Sequence, residues 1–234
     1  MTIVGFDTSM PVTAACVVRD DGRAFATSPP SVERLLGRPQ HSAELLPALA
    51  DLLQQAEVEW NQVDALAVGI GPGTFTGLRI GVATGRALAQ ALGIGISPVS
   101  SLAALAAGLA ADSPEQGGSL LPLIDARRRQ VFAALYRDAA LEPRWGPLAL
   151  DREELLERVA GLDPPPVAAG DWALESRPDL EAAGVIVPPA DSGLHSVNAL
   201  HVCRLAEAIR PVSPEGVTPT YVRLPDAEIN RNAG

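Results

Sequence analysis

Two aspartates stand where carboxylates could hold a metal ion for phosphoryl transfer. Asp7 and Asp125 each end an apolar run that reads as the first strand of a structural unit. In a two-lobed phosphotransferase such carboxylates face a cleft and bind hydrated Mg²⁺. The loops that follow are less suitable, because Thr8-Ser9-Met10-Pro11 has no glycine and Ala126 to Gln130 carries bulky side chains. We therefore predict a degenerate cleft formed by Asp7, Thr8, Ser9, Asp125 and Arg127, with simple turn capping by the aspartates as the alternative.

Other catalytic chemistry finds little support. The histidines, His41, His195 and His201, form no HxxxH or HExxH pair, which disfavours a metallopeptidase, and we expect capping or surface roles for them. The serines lack a GxSxG elbow, and Cys16 and Cys203 form no CxxC pair. The densest basic cluster, residues 127–129, favours a solvated turn over contact with an anion or RNA.

The run Gly71 to Gly81, GPGTFTGLRIG, leaves an apolar strand and enters a helix. It completes neither a P-loop nor a GxGxxG fingerprint. All 18 basic residues are arginine, which excludes a P-loop lysine, a Schiff-base lysine and a lysine general base. Gly77, Gly81 and Gly85 share one helical face. Each of these glycines lowers helix stability by about 1 kcal/mol relative to alanine. We expect a close approach of another backbone to offset this loss. The spacing alone favours packing of the glycine face inside the chain.

Composition and net charge limit the classes of protein to which the chain can belong. The 234 residues are 47% hydrophobic and 4% aromatic, which predicts an ordinary soluble core of Ala, Val and Leu. The net charge of -10 argues against an autonomous nucleic-acid platform, so RNA binding would need a basic partner. No stretch predicts a membrane span or a leader peptide, and the cysteine usage fits a reducing cytoplasm.

The predicted elements repeat. Strands over residues 2–8 and 13–19 and a third strand precede a helix from His41 to Ala56. A strand to Ile70, a helix from Thr76 to Leu92 and a short strand follow. A similar opening recurs from Leu120, with a helix from Arg152 to Val159 and another from Ser196 to Ile209. Two copies of one α/β unit are therefore predicted, divided as residues 1–105 and 106–210, with residues 211–234 as an extended tail.

Five stretches of the chain resemble the bacterial TsaB (YeaZ) family: Phe6-Asp7-Thr8-Ser9, His41 to Pro47, Gly71 to Gly81, Asp125 to Arg128, and Pro219-Thr220-Tyr221-Val222-Arg223. The resemblance implies an actin-like ATPase (ASKHA) fold of two ribonuclease-H-like lobes, with mixed five-stranded sheets flanked by helices. It also implies a non-catalytic subunit that pairs with TsaD and then TsaE, for N6-threonylcarbamoylation of adenosine 37 in tRNAs reading ANN codons. No cofactor is expected for the chain alone. ATP or ADP with Mg²⁺ would bind only at the assembled interface, and tRNA would bind only within the complex.

The resemblance further implies that helices 41–56 and 76–92 pair with TsaD in a four-helix interface and also support a homodimer. The glycine face would then serve a partner as well as internal packing, so that Gly81→Leu would weaken TsaD binding far more than monomer stability. The interface residues expected on this basis are Leu45, Leu46, Leu49, Leu53, Gly77, Leu78, Gly81, Val82, Gly85 and Ala89.

Two other classes stay open from the sequence. An ASKHA small-molecule kinase predicts Mg-ATP binding that depends on Asp7 and Asp125. An inactive protein resembling M22 peptidases is the second, although the histidines offer it no metal site.

Overall fold

The computed structural model describes residues 1–112, 118–137 and 141–222. Its first sheet has five strands, because an antiparallel meander is extended by two parallel strands. The spatial order is β3-β2-β1-β4-β5, with β1 parallel to β4 and β4 parallel to β5. The strand bounds are Ile3–Asp7 (β1), Ala14–Val18 (β2), Ala24–Ala26 (β3), Ala65–Gly69 (β4) and Ile96–Val99 (β5). Mixed pairing of this kind is the predicted ribonuclease-H-like arrangement.

The second sheet repeats the first with one strand fewer among the described residues. Its order is β8-β7-β6-β9, and β6 is parallel to β9. The predicted fifth strand at residues 185–187 is reduced to a single parallel bridge between Val167 and Ile186. The bounds are Leu120–Arg127 (β6), Gln130–Tyr136 (β7), Pro143–Asp151 (β8) and Val167–Ala169 (β9).

Helices cover both faces of each sheet. Helices α2 and α3 pack on the outer face of the first sheet, α4 and α8 lie between the sheets, and α5 and α6 contact the second sheet, with α7 packed beside α6. The bounds are Val32–Leu35 (α1), His41–Gln55 (α2), Phe75–Leu92 (α3), Ser101–Asp112 (α4), Arg152–Val159 (α5), Asp171–Glu175 (α6), Arg177–Ala182 (α7) and Ala199–Ala206 (α8).

Side chains cap the N-termini of the two eight-residue helices, α5 and α8. Helix α5 has a capping box in which the Asp151 side chain accepts from the Glu154 amide and the Glu154 side chain accepts from the Asp151 amide. Helix α8 begins after Asn198, whose side chain accepts from the Leu200 amide. The predicted cap at Ser196 is therefore wrong by two residues, because Asn198 supplies the cap.

Residues 211–222 run along the edge of the first sheet. Val212 and Ile96 exchange two backbone hydrogen bonds, and the Thr220 amide donates to the Ile70 carbonyl at 2.8 Å. The predicted tail beyond Val222 lies outside the described residues, and so does most of the predicted loop 113–119. The predicted boundary between residues 105 and 106 falls inside α4 and stays a prediction. Among the described residues, no helix is both long and apolar enough to cross a membrane.

Candidate functional site

Asp7, at the end of β1, is only 1% exposed, and hydrogen bonds from the chain occupy both of its carboxylate oxygens. Oδ1 accepts from the Ser9 amide at 2.8 Å and from Ser9 Oγ at 2.5 Å, while Oδ2 accepts from Ser101 Oγ at 2.5 Å. Ser101 Oγ in turn accepts from the Gly71 amide. Gly69 gives the carboxylate its space, since a Cβ there would lie 1.9 Å from Asp7 Oδ2.

Helix α3 fills the space beside the loop that follows β1. A Cβ on Gly77 would lie 2.0 Å from the Thr8 carbonyl oxygen, and one on Gly81 would lie 2.3 Å from Thr8 Oγ1. Thr8 Oγ1 donates to the Gly77 carbonyl at 2.8 Å, and the Thr74 amide donates to the Ser9 carbonyl at 2.8 Å. The loop that would cradle a phosphate is thus packed against backbone of its own chain. Mg²⁺ at Asp7 does not fit, because binding would break this network.

The glycine face of α3 therefore packs inside the chain, as spacing alone predicted. Gly85 completes it, with a virtual Cβ 2.8 Å from a Val68 methyl group. Gly81→Leu should itself destabilise the monomer, because the added side chain would overlap Thr8, which is fully buried. The expected larger effect on TsaD binding stays a prediction.

The second aspartate, Asp125, lies near the end of β6 and is more open. Its Oδ1 accepts from the Arg127 amide at 2.8 Å, and its Oδ2 pairs with Arg127 Nη1 at 2.9 Å. Arg127, Arg128 and Arg129 all have left-handed backbone conformations, with φ of 62°, 54° and 64°. This tight turn presents the three exposed arginines between β6 and β7.

Behind Asp125 lies a buried carboxyl group that the sequence analysis did not single out. Asp171 is 4% exposed, and its Oδ1 accepts from the amides of Asp125 and Trp172, both at 2.9 Å. Burial raises the pKa of Asp171 to about 7, and the nearby Asp125 charge adds to this increase. The group therefore titrates near neutrality. The only sequence signal for it is its position two residues after the β9 strand, near a strand end as Asp125 is.

The histidines are more deeply buried than expected. His195 is 1% exposed, so the predicted surface role is wrong for this residue. Its Nδ1 accepts from the Gly170 amide and its Nε2 donates to the Pro188 and Pro189 carbonyls, which fixes a neutral tautomer. His41 opens α2 and is 2% exposed. Burial lowers the pKa of both imidazoles. No cluster of three or more potential metal ligands occurs within residues 1–112, 118–137 and 141–222.

A cavity of about 710 Å³ lies where the start of α3 meets the β6–β7 turn and the C-terminal segment. Of the five predicted cleft residues, Asp125 and Arg127 line it, whereas Asp7, Thr8 and Ser9 are buried in the network described above. The remaining wall comes from the first turns of α2 and α3, from Phe132, and from residues 220–222. The sequence analysis missed the aromatic rim formed by Phe75 and Tyr221.

The predicted interface residues lie mainly in the interior. Apart from Leu46, which is 53% exposed, all of them are buried and face their own sheet. A single chain does not test partner contact, so the interface stays a prediction. Polar residues such as Ser42, Asp51, Arg86 and Gln90 are among the exposed residues of these helices. The other exposed positions include a small and apolar set: Ala43, Leu46, Pro47 and Ala50 of α2, and Ala83, Ala87 and Ala91 of α3. We call this apolar set the outer face. Its three α3 alanines follow i, i+4, i+8 spacing, a signal present in the sequence.

Comparison with known proteins agrees with this architecture. The family model described as TsaD, tRNA N6-adenosine threonylcarbamoyltransferase, matches residues 36–166, more than half of the chain. The "tRNA threonylcarbamoyladenosine biosynthesis protein TsaB" of Bacillus subtilis is 29% identical over 97% of this chain and 96% of its own length. An uncharacterised protein of Mycobacterium tuberculosis is 31% identical over 97% of this chain and 94% of its own. A solved structure, YeaZ from Pseudomonas aeruginosa, superposes with a TM-score of 0.71 at 29% identity, covering 94% of this chain and 99% of that one.

The two related mixed sheets, with helices between and outside them, define the actin-like ATPase class of α/β proteins, built from two ribonuclease-H-like lobes. Within that class, the chain belongs to the TsaB (YeaZ) family, whose members share the TsaD-type domain.

Proposed function

We propose that this chain acts in the biosynthesis of tRNA threonylcarbamoyladenosine, as a non-catalytic subunit that pairs with TsaD and then binds TsaE. The reaction served is N6-threonylcarbamoylation of adenosine 37 in tRNAs reading ANN codons, and the compartment is the cytoplasm. Relatives named for this biosynthesis support the pathway, since one of them aligns over nearly the whole chain.

The burial and hydrogen bonds of Asp7 support the proposal that the subunit is non-catalytic. Asp7 is 1% exposed and already accepts three hydrogen bonds, so hydrated Mg²⁺ would have to enter a buried site and displace these donors. The packing of α3 against Thr8 leaves no cradle for a phosphate beside it. We propose no cofactor for the chain itself and restrict ATP or ADP with Mg²⁺ to the assembled interface. No observation favours a kinase or a peptidase.

The outer face supports the proposal that the chain binds TsaD. Leu46 is 53% exposed, so its remaining apolar area is worth about 1 to 1.5 kcal/mol if a partner fully buries it. Ala83, Ala87 and Ala91 permit close approach of a second helix, because a methyl group extends little beyond the backbone. The inward residues, such as Leu49 and Gly81, would then support this surface by holding α2 and α3 against the sheet. A homodimer through the same face is the corresponding expectation without TsaD.

Reconstitution tests the proposal. The other components of the modification system are mixed with substrate tRNA, with and without this chain, and threonylcarbamoyladenosine is measured by mass spectrometry of the digested tRNA. We expect the product only when the chain is present. The Leu46→Asp variant should lose TsaD binding and product together without a change in Tm, since Leu46 is exposed in the single chain.

Leu36→Asp is the matched control, because Leu36 is exposed to a similar degree beyond α1 and lies outside the outer face. Equal effects of the two variants, or product formed without the chain, would refute the proposed function. Saturable Mg-ATP binding by the isolated chain in calorimetry, lost in Asp125→Asn, would instead support the kinase reading.

A further inference from the structure

Two sequence motifs that the proposed function does not use meet at the rim of the cavity. Phe75 comes from the glycine-rich run at the start of α3, and Tyr221 comes from the Pro219–Arg223 motif. Their ring centroids lie 5.5 Å apart at an interplanar angle of 35°. The Arg79 guanidinium lies 3.8 Å above the Phe75 ring, and Arg79 Nε donates to the Tyr221 hydroxyl at 3.3 Å. We call these three residues the aromatic stack.

The aromatic stack is exposed although it is built from large rings. Phe75 is 41% exposed and Tyr221 is 40% exposed, so part of each ring remains open to a planar ligand. Ring surfaces of this kind bind unpaired nucleobases, because every base has a π-face that stacks without regard to its identity. Arginine beside the rings strengthens such a site, since its planar guanidinium can stack as well.

The cavity wall supplies polar groups next to the stack. Thr74 gives α3 no side-chain cap, and its Oγ1 has no hydrogen-bond partner, so the first amides of the helix remain available at the wall. The Nε2 of His41 also has no partner, although the imidazole is 98% buried and lines the same cavity. A volume of about 710 Å³ exceeds what one small ion needs, and it suits a group of the size of a nucleoside.

Charge is distributed to favour a polyanion at this rim over other surfaces. The whole chain carries a net charge of -10, which disfavours RNA on most of its surface. Arg127 lines the cavity and is followed directly by Arg128 and Arg129, while Arg79 contacts the rim residues Phe75 and Tyr221 from outside the lining. Asp125 reduces the field of Arg127 through their ion pair, and Asp151, Glu153 and Glu175 lie beside the three arginines on the side away from the rings. Phosphates would therefore approach the arginines from the side of the cavity rim.

We propose that the aromatic stack binds an unpaired base of a single-stranded RNA loop, with the adjacent arginines contacting its phosphates. The inference rests on the proposed function, because that function brings a tRNA to the complex. It departs from the expectation that tRNA binds only within the complex, and for that reason it is tested on the chain alone. It separates two roles on neighbouring surfaces, since the outer face binds a protein partner and the cavity rim binds RNA.

The test uses an RNA stem-loop with 2-aminopurine at one unpaired loop position, titrated with the isolated full chain at low salt. Stacking should quench the fluorescence. Phe75→Leu and Tyr221→Ala, which remove a ring, should each weaken binding about tenfold. Tyr221→Phe keeps the ring and should bind within about twofold of the wild type. Leu36→Ala, outside the cavity, is the matched control, and circular dichroism confirms that every variant is folded.

Each outcome decides the proposal. Absence of quenching by the wild-type chain overturns it, and so does binding by the two ring-removing variants that equals wild-type binding. Displacement of the loop by free adenosine monophosphate at the same concentration also overturns it, because the site would then recognise a free nucleotide. A separate TsaD-binding measurement distinguishes the two proposals: Leu46→Asp should lose the partner and retain quenching, whereas Tyr221→Ala should do the reverse.

Discussion

At the scale of single residues, the missing side chains of α3 matter as much as those present. Of the three glycines, Gly77 has the tightest contact with backbone, since a Cβ there would lie 2.0 Å from the Thr8 carbonyl oxygen. This carbonyl group cannot move without disturbing β1 and the hydrogen bonds around Asp7. We predict that Gly77→Ala lowers the free energy of unfolding by about 1 to 3 kcal/mol through overpacking, despite the better helix propensity of alanine. Chemical denaturation monitored by circular dichroism measures this change.

Gly108→Ala is the control for that experiment, since it makes the same substitution within helix α4. A Cβ at Gly108 would meet only His201 atoms at 3.7 and 3.8 Å, which is ordinary van der Waals contact. It should therefore raise stability by about 0.5 to 1 kcal/mol. If the two variants changed stability in the same direction, the close packing of α3 against Thr8 would not be what holds Gly77 in place.

Asp171 makes a second prediction at this scale. The pKa of Asp171 is raised to about 7 in the folded chain, so the unfolded chain loses this proton first as pH rises from about 4. Asp171 therefore lowers stability increasingly between pH 4 and pH 7. In Asp171→Asn the side-chain carbonyl can still accept from the Asp125 and Trp172 amides. The stability advantage of the variant should grow across this range, by at most about 4 kcal/mol.

Urea unfolding of both proteins at several pH values measures that difference. The buried histidines, whose pKa values are lowered by burial, weaken folding as pH falls below their ordinary range, which is the opposite trend. They are common to both proteins, so their contribution cancels when wild type and variant are compared. A difference that stays constant from pH 4 to pH 8 would contradict a titration of Asp171 in this range.

At the scale of elements, the sequence predicted which segments are helices better than which side faces outward. Helices α2, α3 and α5 and strand β9 lie within about one residue of expectation, because their apolar periodicity and caps are local signals. The short helices α6 and α7 were missed, since segments of five or six residues carry little periodicity. The rim of the cavity was not predicted, because it depends on a contact between Arg79 and Tyr221, which lie 142 positions apart in the sequence.

The prediction at the scale of an element concerns the inward and outward faces of helix α3. Spacing predicted that the glycines pack inside the chain, and the resemblance implied that they also serve a partner. The structure turns the glycines inward and leaves Ala83 and Ala87 exposed. We predict that Ala83→Glu combined with Ala87→Glu weakens TsaD binding at least tenfold, because two charges would lose their water at a helix interface. Tm should not change, since both positions contact solvent in the single chain. Surface plasmon resonance and a melting curve measure the two quantities.

Ala182→Glu is the matched control, because Ala182 is an exposed helical alanine of α7, on the other side of the molecule from α3. It should leave TsaD binding unchanged. If the control weakened binding as much as the double variant, net charge rather than the outer face would explain the loss.

At the scale of the whole molecule, the two lobes share one interior. The largest hydrophobic cluster contains Ile3 and Ala67 of the first sheet together with Ile124 and Val167 of the second. Helix α4 crosses the predicted boundary and packs on β6, while α8, assigned by sequence to the second lobe, packs on β1 and β2. A division at residue 105 would expose apolar surface on both products. Duplication in the fold therefore does not imply independent stability of each half.

We predict that the lobes unfold together in one transition. Trp60 reports on the first lobe and Trp172 on the second, so two variants that each retain one of these tryptophans, with the other tryptophans replaced by phenylalanine, follow the lobes separately. Within each variant, the urea midpoint from fluorescence should coincide with the midpoint from circular dichroism, because breaking the shared cluster removes support from both sheets at once. Fluorescence and circular dichroism midpoints that differ clearly within one variant would show instead that the lobes are independent folding units and that the layer of α4 and α8 couples them only weakly.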